Sequence, residues 1–202
     1  MVAFEQLHPN IPWQRLTTPY GRGTDIPRLI ETGQFESLAE LAEHQGTLWQ
    51  VTPWVLLELL RGLELRGPKE AASGEIRVCL NVASALSDQD LGLEHPVTSM
   101  NELLNEKYLW PEGRGGRRTG MGEGEPTGYD PEAFFSYYYY SDFLLKQARP
   151  LFEGYHARQF LPCARGTGTA GAFEINEWLL LNWHDLIQMG ILKHEYNGEK
   201  LK

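Results

Sequence analysis

The stretch LAEHQGTLWQVTPWVLLELL, Leu41 to Leu60, decides how this chain folds. It sets His44-Gln45-Gly46-Thr47 between two runs of Leu, Val and Ala. A histidine beside a glycine and a threonine invites a catalytic reading. It reads equally as the bend between two packed helices, and the flanks favour the bend. Upstream, Phe35, Leu38, Leu41 and Ala42 share one helical face while Glu36, Glu40 and Glu43 fall elsewhere, which predicts a helix over 35–44. Downstream, Thr52-Pro53 is a cap followed by a proline at the first helical position. Leu56, Leu59, Leu60 and Leu63 then recur at helical spacing, predicting a helix over 53–65 that leaves Glu58, Arg61 and Glu64 to water. His44 is then a helix-end histidine whose ring bonds the last carbonyls and favours the helix dipole. Gly46 supplies the positive φ of the bend. As a general base His44 would need a group within reach to activate, and Thr47 and Glu43 are its local candidates.

Working outward, residues 1–23 carry Pro9, Pro12, Pro19, Gly21 and Gly23. They read as an extended arm with Trp13 and Leu16 as docking points. A first helix is expected from Thr24-Asp25, either of which can accept from free N–H groups. Pro27 sits in its first turn and Gly33 closes it. Beyond the opening stretch, Ile76, Cys79, Leu80, Ala83 and Leu86 predict a fourth helix over 75–87. No stretch alternates cleanly enough to suggest a sheet. The pattern then changes. TSMNELLNEKYLW (98–110) is one short helix candidate, and PEGRGGRRTGMGEGEPTG (111–128) reads as a long mobile loop. Asp130-Pro131-Glu132 restarts helix, followed by AFFSYYYYSDFLLKQA, with Pro150 as its break or kink. A last helix is expected over 172–189, with Ile175, Trp178, Leu179, Leu186 and Ile187 inward and Gly190 after its end.

The fold class expected is all-α: short antiparallel helices, then a non-repeat helical C-terminal part. Its three stretches are an arm and helices over 1–95, a Gly-rich connector over 96–128 and an aromatic-rich helical part over 129–202. The chain has 202 residues, of which 42% are hydrophobic and 22% charged, so it can bury a proper core. Its net charge of -9 repels phosphate backbones, argues against nucleic acid and suits a basic partner. Cys79 and Cys163 form no CxxC pair, the N-terminus lacks a signal-peptide pattern, and no apolar run is long enough to span a bilayer. Together these predict a cytoplasmic protein in a reducing compartment, with no membrane contact.

The residues from Tyr20 to Leu60 carry a resemblance. Tyr20-Gly21, the Asp25-Ile26-Pro27 helix start, the turn His44-Gln45-Gly46-Thr47 and a helix with a proline and Leu56-Leu57 resemble the opening of a family of bacterial HEAT-repeat-like proteins. The match covers about 40 residues. The resemblance implies a HEAT-like N-terminal part and an α-solenoid adaptor module. Some members of the family are thought to sit beside secreted polymorphic toxins as immunity proteins. After about residue 90 the chain departs from the pattern, with no further helix pairs at a repeat spacing.

Several constellations invite chemistry. GTGTAG (166–171) fits GxGxxG, but Pro162 makes the segment before it a poor strand, and thirteen residues after Met189 are too few for a dinucleotide-binding half. It reads as a connector, or as a simple anion site with Arg165 beside it. In the 111–128 segment, Arg114, Arg117 and Arg118 can hold a phosphate or an acidic surface, with Glu112, Glu123 and Glu125 cancelling their charge. His156, Cys163, His184 and His194 are too dispersed to predict a metal site. No GxSxG or HExxH motif is present. Four consecutive tyrosines, Tyr137 to Tyr140, point all round a helix. They read either as a recognition surface or as a core helix whose hydroxyls reach water.

The function expected is therefore a binding protein without catalysis, cofactor or metal, most concretely an immunity protein that blocks a cognate, basic toxin. Arg114, Arg117, Arg118, Tyr137, Tyr138, Tyr139 and Tyr140 are its candidate partner contacts. Two other classes stand beside it: a small enzyme or anion-binding protein using the Gly-rich segments, and a structural adaptor or homo-oligomer.

Overall fold

The computed structural model describes residues 10–67, 70–87, 97–112 and 131–152. In chain order these form a single 3-10 turn, Trp13–Arg15, and a hairpin of β1, Thr17–Thr18, and β2, Gly21–Arg22. Helices α1, Ile26–Glu31, and α2, Phe35–Ala42, follow. A second hairpin joins β3, Glu43–His44, to β4, Thr47–Leu48. Next come α3, Thr52–Arg66, and α4, Ser73–Ser87. Two 3-10 turns, Met100–Leu104 and Glu106–Tyr108, lead to α5, Pro131–Gln147. The described part is mainly helical, with two small antiparallel sheets of two strands each.

The opening stretch bends differently from the expectation. Helix α2 stops at Ala42 rather than His44, and the next two residues pair as a strand, with Glu43 opposite Leu48 and His44 opposite Thr47. Gln45 and Gly46 form the two-residue loop, at φ 53° and 76°. Positive φ at both loop residues is the type I′ signature, whose twist matches that of paired strands. The positive φ expected at Gly46 is present. The helix-end role expected for His44 is not, because a tight hairpin takes those residues instead. A two-residue strand is too short to show alternation in a sequence.

Thr52 also acts otherwise than expected. Val51 occupies the cap position of α3, with Pro53 in its first turn. The Thr52 hydroxyl accepts from the Trp49 N–H at 2.8 Å and donates to the Ala42 carbonyl. It thus ties the end of α2 to the start of α3. Asp25 stands at the cap of α1, but its backbone is already helical and its side chain makes no capping bond. Gly33, at φ 67°, closes that helix, with the Gln34 N–H donating to the Leu29 carbonyl.

Helix α3 runs through the core of the described residues. The expected Leu56, Leu59, Leu60 and Leu63 are buried, and so are Trp54, Val55 and Leu57. A helix apolar on nearly every side belongs inside a core. It packs chiefly on α5, with further contacts to α2 and α4, while α2 packs chiefly on α4. The expected inward residues of α4, Ile76, Cys79, Leu80, Ala83 and Leu86, are all buried. Leu16 of the arm is fully buried, and Trp13 packs against the core. Pro150 follows the end of α5, after which 149–152 are again helical.

Candidate interaction surface

A polar junction beneath the surface orients the parts that face outward. Gln50 is buried between Trp49 and Val51. Its Oε1 accepts from the Thr17 N–H at 2.9 Å, and its Nε2 donates to the Tyr108 carbonyl at 3.0 Å. One side chain therefore joins β1 to the 97–112 segment. Arg15, only 7% exposed, does the same from the other side. Its Nε donates to the Trp110 carbonyl at 2.6 Å, its guanidinium takes both oxygens of Glu106 at 2.8 and 2.5 Å, and the Trp110 N–H donates back to the Arg15 carbonyl at 2.9 Å. The Trp110 indole N–H donates to the Thr17 hydroxyl at 3.0 Å, and the Arg22 guanidinium lies 4.8 Å above the Trp110 ring. The bond from Arg15 holds the Glu106 carboxyl below the ordinary carboxylate range.

The N-terminal helices expose several acidic side chains. Leu38, Ala39 and Ala42 of α2 turn inward, so Glu36 and Glu40 stand in water. Asp25 and Glu31 are exposed on and beside α1, which packs on α2. The basic residues among them are Arg28, 3.8 Å from Asp25, and Arg77, 3.7 Å from Glu36. On β3 the Glu43 Oε1 accepts from the Gly46 N–H at 2.7 Å and braces the turn.

The two hairpins meet through Tyr20 and His44. The Tyr20 hydroxyl lies 3.2 Å from His44 Nδ1, and their rings sit edge to face at 5.3 Å. Tyr20 is 49% exposed. Here the ring meets a phenol, and the neighbouring Glu43 carboxylate is engaged by the turn.

The tyrosines expected as partner contacts are distributed otherwise. Tyr137, Tyr138 and Tyr140 are buried and Tyr139 is half-buried. Tyr138 accepts the Leu48 N–H at 3.1 Å, and Tyr140 donates to the Val97 carbonyl at 3.3 Å, so their hydroxyls are spent inside the protein. The outward aromatics of α5 are instead Phe135 and Phe143. Arg114, Arg117 and Arg118 lie outside the described residues, as do Arg165, the GTGTAG segment, His156, Cys163, His184, His194 and the helix expected over 172–189. Among the described residues no three of His, Cys, Asp or Glu are grouped to hold a metal ion, and no helix is long and apolar enough to cross a membrane.

The sequence reading missed Arg15, Gln50 and the pairing of Tyr20 with His44. Gln50 left a signal: a lone amide inside the apolar run LWQVTPWVLL has to be bonded if it is buried. The other two join residues far apart in the chain. No protein-family model, curated protein or solved structure matches this chain.

Proposed function

We propose that this chain is a protein-binding module of the cytoplasm that neutralises a basic partner, most concretely an immunity protein set against a cognate toxin. The observation that carries this reading is the set of exposed acidic side chains on and beside α1 and α2, Asp25, Glu31, Glu36 and Glu40. Exposed acidic side chains steer a basic partner. The exposed Tyr20 supplies contact area at low entropic cost. The HEAT-like resemblance of the N-terminal part supports the same reading. Its Asp25-Ile26-Pro27 string falls at the start of α1, and His44-Gln45-Gly46-Thr47 makes the second hairpin.

The test is co-expression with the product of the adjacent reading frame. The expected outcome is that the neighbour is toxic alone, is tolerated with this chain, and co-purifies with it. A harmless neighbour that forms no complex would overturn the proposal.

A further inference from the structure

We infer that the Arg22 guanidinium, stacked on the Trp110 ring, is a recognition point for a single carboxylate on the surface of a protein partner. Two arginines meet Trp110, and they are used differently. Arg15 is buried, donates to the Trp110 carbonyl, and is matched by Glu106 and Glu112. Arg22 lies over the ring at 4.8 Å. Its end nitrogens donate to the carbonyls of Gln14 at 3.2 Å and Pro111 at 3.4 Å. Among the described residues no carboxylate pairs with it. A guanidinium has an N–H on Nε and a pair on each end nitrogen, so the Nε–H and one of each pair are left over. The group is also held ready. The Trp110 N–H, carbonyl and indole N–H are all bonded, to Arg15 and Thr17, which fixes the ring under Arg22.

Charge defines the occupant. Arg22 and Trp110 are both half-buried. A half-buried guanidinium on an aromatic face is weakly hydrated, and its planar fork loses little freedom when it takes a carboxylate. Arginine and tryptophan are enriched among the side chains that carry interface affinity. Around the pair the charge is negative: the Glu106 and Glu112 side chains are 77% and 84% exposed, and the chain carries a net charge of -9. These charges disfavour a phosphate, with its higher negative charge, more than a carboxylate. They welcome basic side chains. The surface that fits is therefore a basic one with an Asp or Glu set among its Lys and Arg. The acid meets Arg22, and its basic neighbours meet Glu106 and Glu112. A basic surface without that acid would set a cation against Arg22, so Arg22 selects among basic partners. The partner's basic character rests on the proposed function; the carboxylate rests on Arg22 alone.

Capped peptides Lys-Lys-Glu-Lys-Lys and Lys-Lys-Gln-Lys-Lys test this on the full chain, by nuclear magnetic resonance titration in about 50 mM NaCl. An acidic protein without a local cationic receptor prefers the glutamine peptide, which is one charge more basic. The expected order is the reverse. The glutamate peptide should bind at least about threefold tighter and shift the Arg22 Nε–H and Trp110 indole signals. Arg22→Gln should restore the preference for glutamine. Arg22→Lys keeps the charge without the fork, so it should keep less of the preference for glutamate, and it stands in if Arg22→Gln unsettles the fold. Circular dichroism checks that each variant keeps its helix. A wild-type chain that binds neither peptide, or does not prefer glutamate, overturns the inference. So does a preference that survives undiminished in the folded variants, or a phosphoserine peptide that binds tighter than the glutamate one. A harmless neighbour in the co-expression test would overturn the toxin reading and leave this result standing.

Discussion

The Gln45–Gly46 turn is where single residues matter most. Gly46 sits at φ 76°, and a Cβ there would meet nothing within 4 Å, so the cost of a side chain is purely that of the backbone. Gly46→Val should therefore destabilise by about 1 kcal/mol or more, read from chemical denaturation. Gln45 has φ 53° and is not a glycine. Asparagine tolerates that conformation better, so Gln45→Asn should stabilise by about 0.5 kcal/mol and raise the melting temperature. A neutral result for both would remove the hairpin. The need for Gly46 was legible in the sequence, but the kind of bend was not: Gln-Gly is not among the usual hairpin dipeptides, and two-residue strands leave no pattern. Cys79 makes a second prediction at this scale. Burial, with the nearby Glu75 charge adding to it, pushes its thiol up to about 12. A thiol without thiolate at neutral pH is a poor nucleophile. Cys79→Ser should then leave the rate of thiol-reagent uptake by the native protein unchanged. The unfolded variant should take up one equivalent less than the unfolded wild type.

Among elements, the telling one is the 97–112 segment, which Gln50 and Arg15 hold against the arm. Gln50→Ala would leave the buried Thr17 N–H and the Tyr108 carbonyl without their partner. The expected loss is about 1–3 kcal/mol, and hydrogen exchange should show it concentrated at 15–18 and 100–110. Equal loss across α3 and α4 would contradict a local junction. Acid should loosen the same segment. Glu106 is held down by its bond to Arg15, and Glu102 by bonds from the Thr98 hydroxyl and N–H. With both lowered, the unfolded chain binds more protons than the folded one, and stability rises with pH. The contribution is complete above the ordinary glutamate value of about 4.3 and is lost as the pH falls through the lower folded values. Melting temperatures taken from about pH 6 to about pH 3 should fall, and Glu106→Gln should fall less steeply. Helices α3 and α4 were legible from their periodic apolar runs, and α5 from the start signal before it. TSMNELLNEKYLW instead forms two 3-10 turns. Asn105 interrupts it with extended backbone, so that its side chain accepts from the Lys107 N–H. Such a local side-chain bond competes with a continuous helix.

At the scale of the whole molecule, α3 is the axis about which the described residues pack. Its buried Trp54, Leu57 and Leu60 bring the N-terminal helices and α5 into a single apolar cluster. The mainly helical class was readable from periodicity. Which helices touch was not, because α2 meets α4 and α3 meets α5 across intervening chain. The candidate surface was less legible than the fold. Arg15 and Tyr20 acquire their roles only through residues distant in sequence, and the tyrosine run that suggested recognition serves mostly as core. We propose that the exposed acids of α1 and α2 carry the binding role. Glu36→Lys/Glu40→Lys tests that most directly. Both side chains are exposed, and Glu36 is engaged only by a surface ion pair with Arg77, so the fold should survive the reversal. Titration against the partner recovered by co-expression would measure affinity for wild type and variant at low and high salt. Binding of the variant should be at least about a hundredfold weaker at low salt, with much of the difference gone at high salt and its helix content by circular dichroism retained. Equal affinity of the two folded proteins at low salt would contradict it.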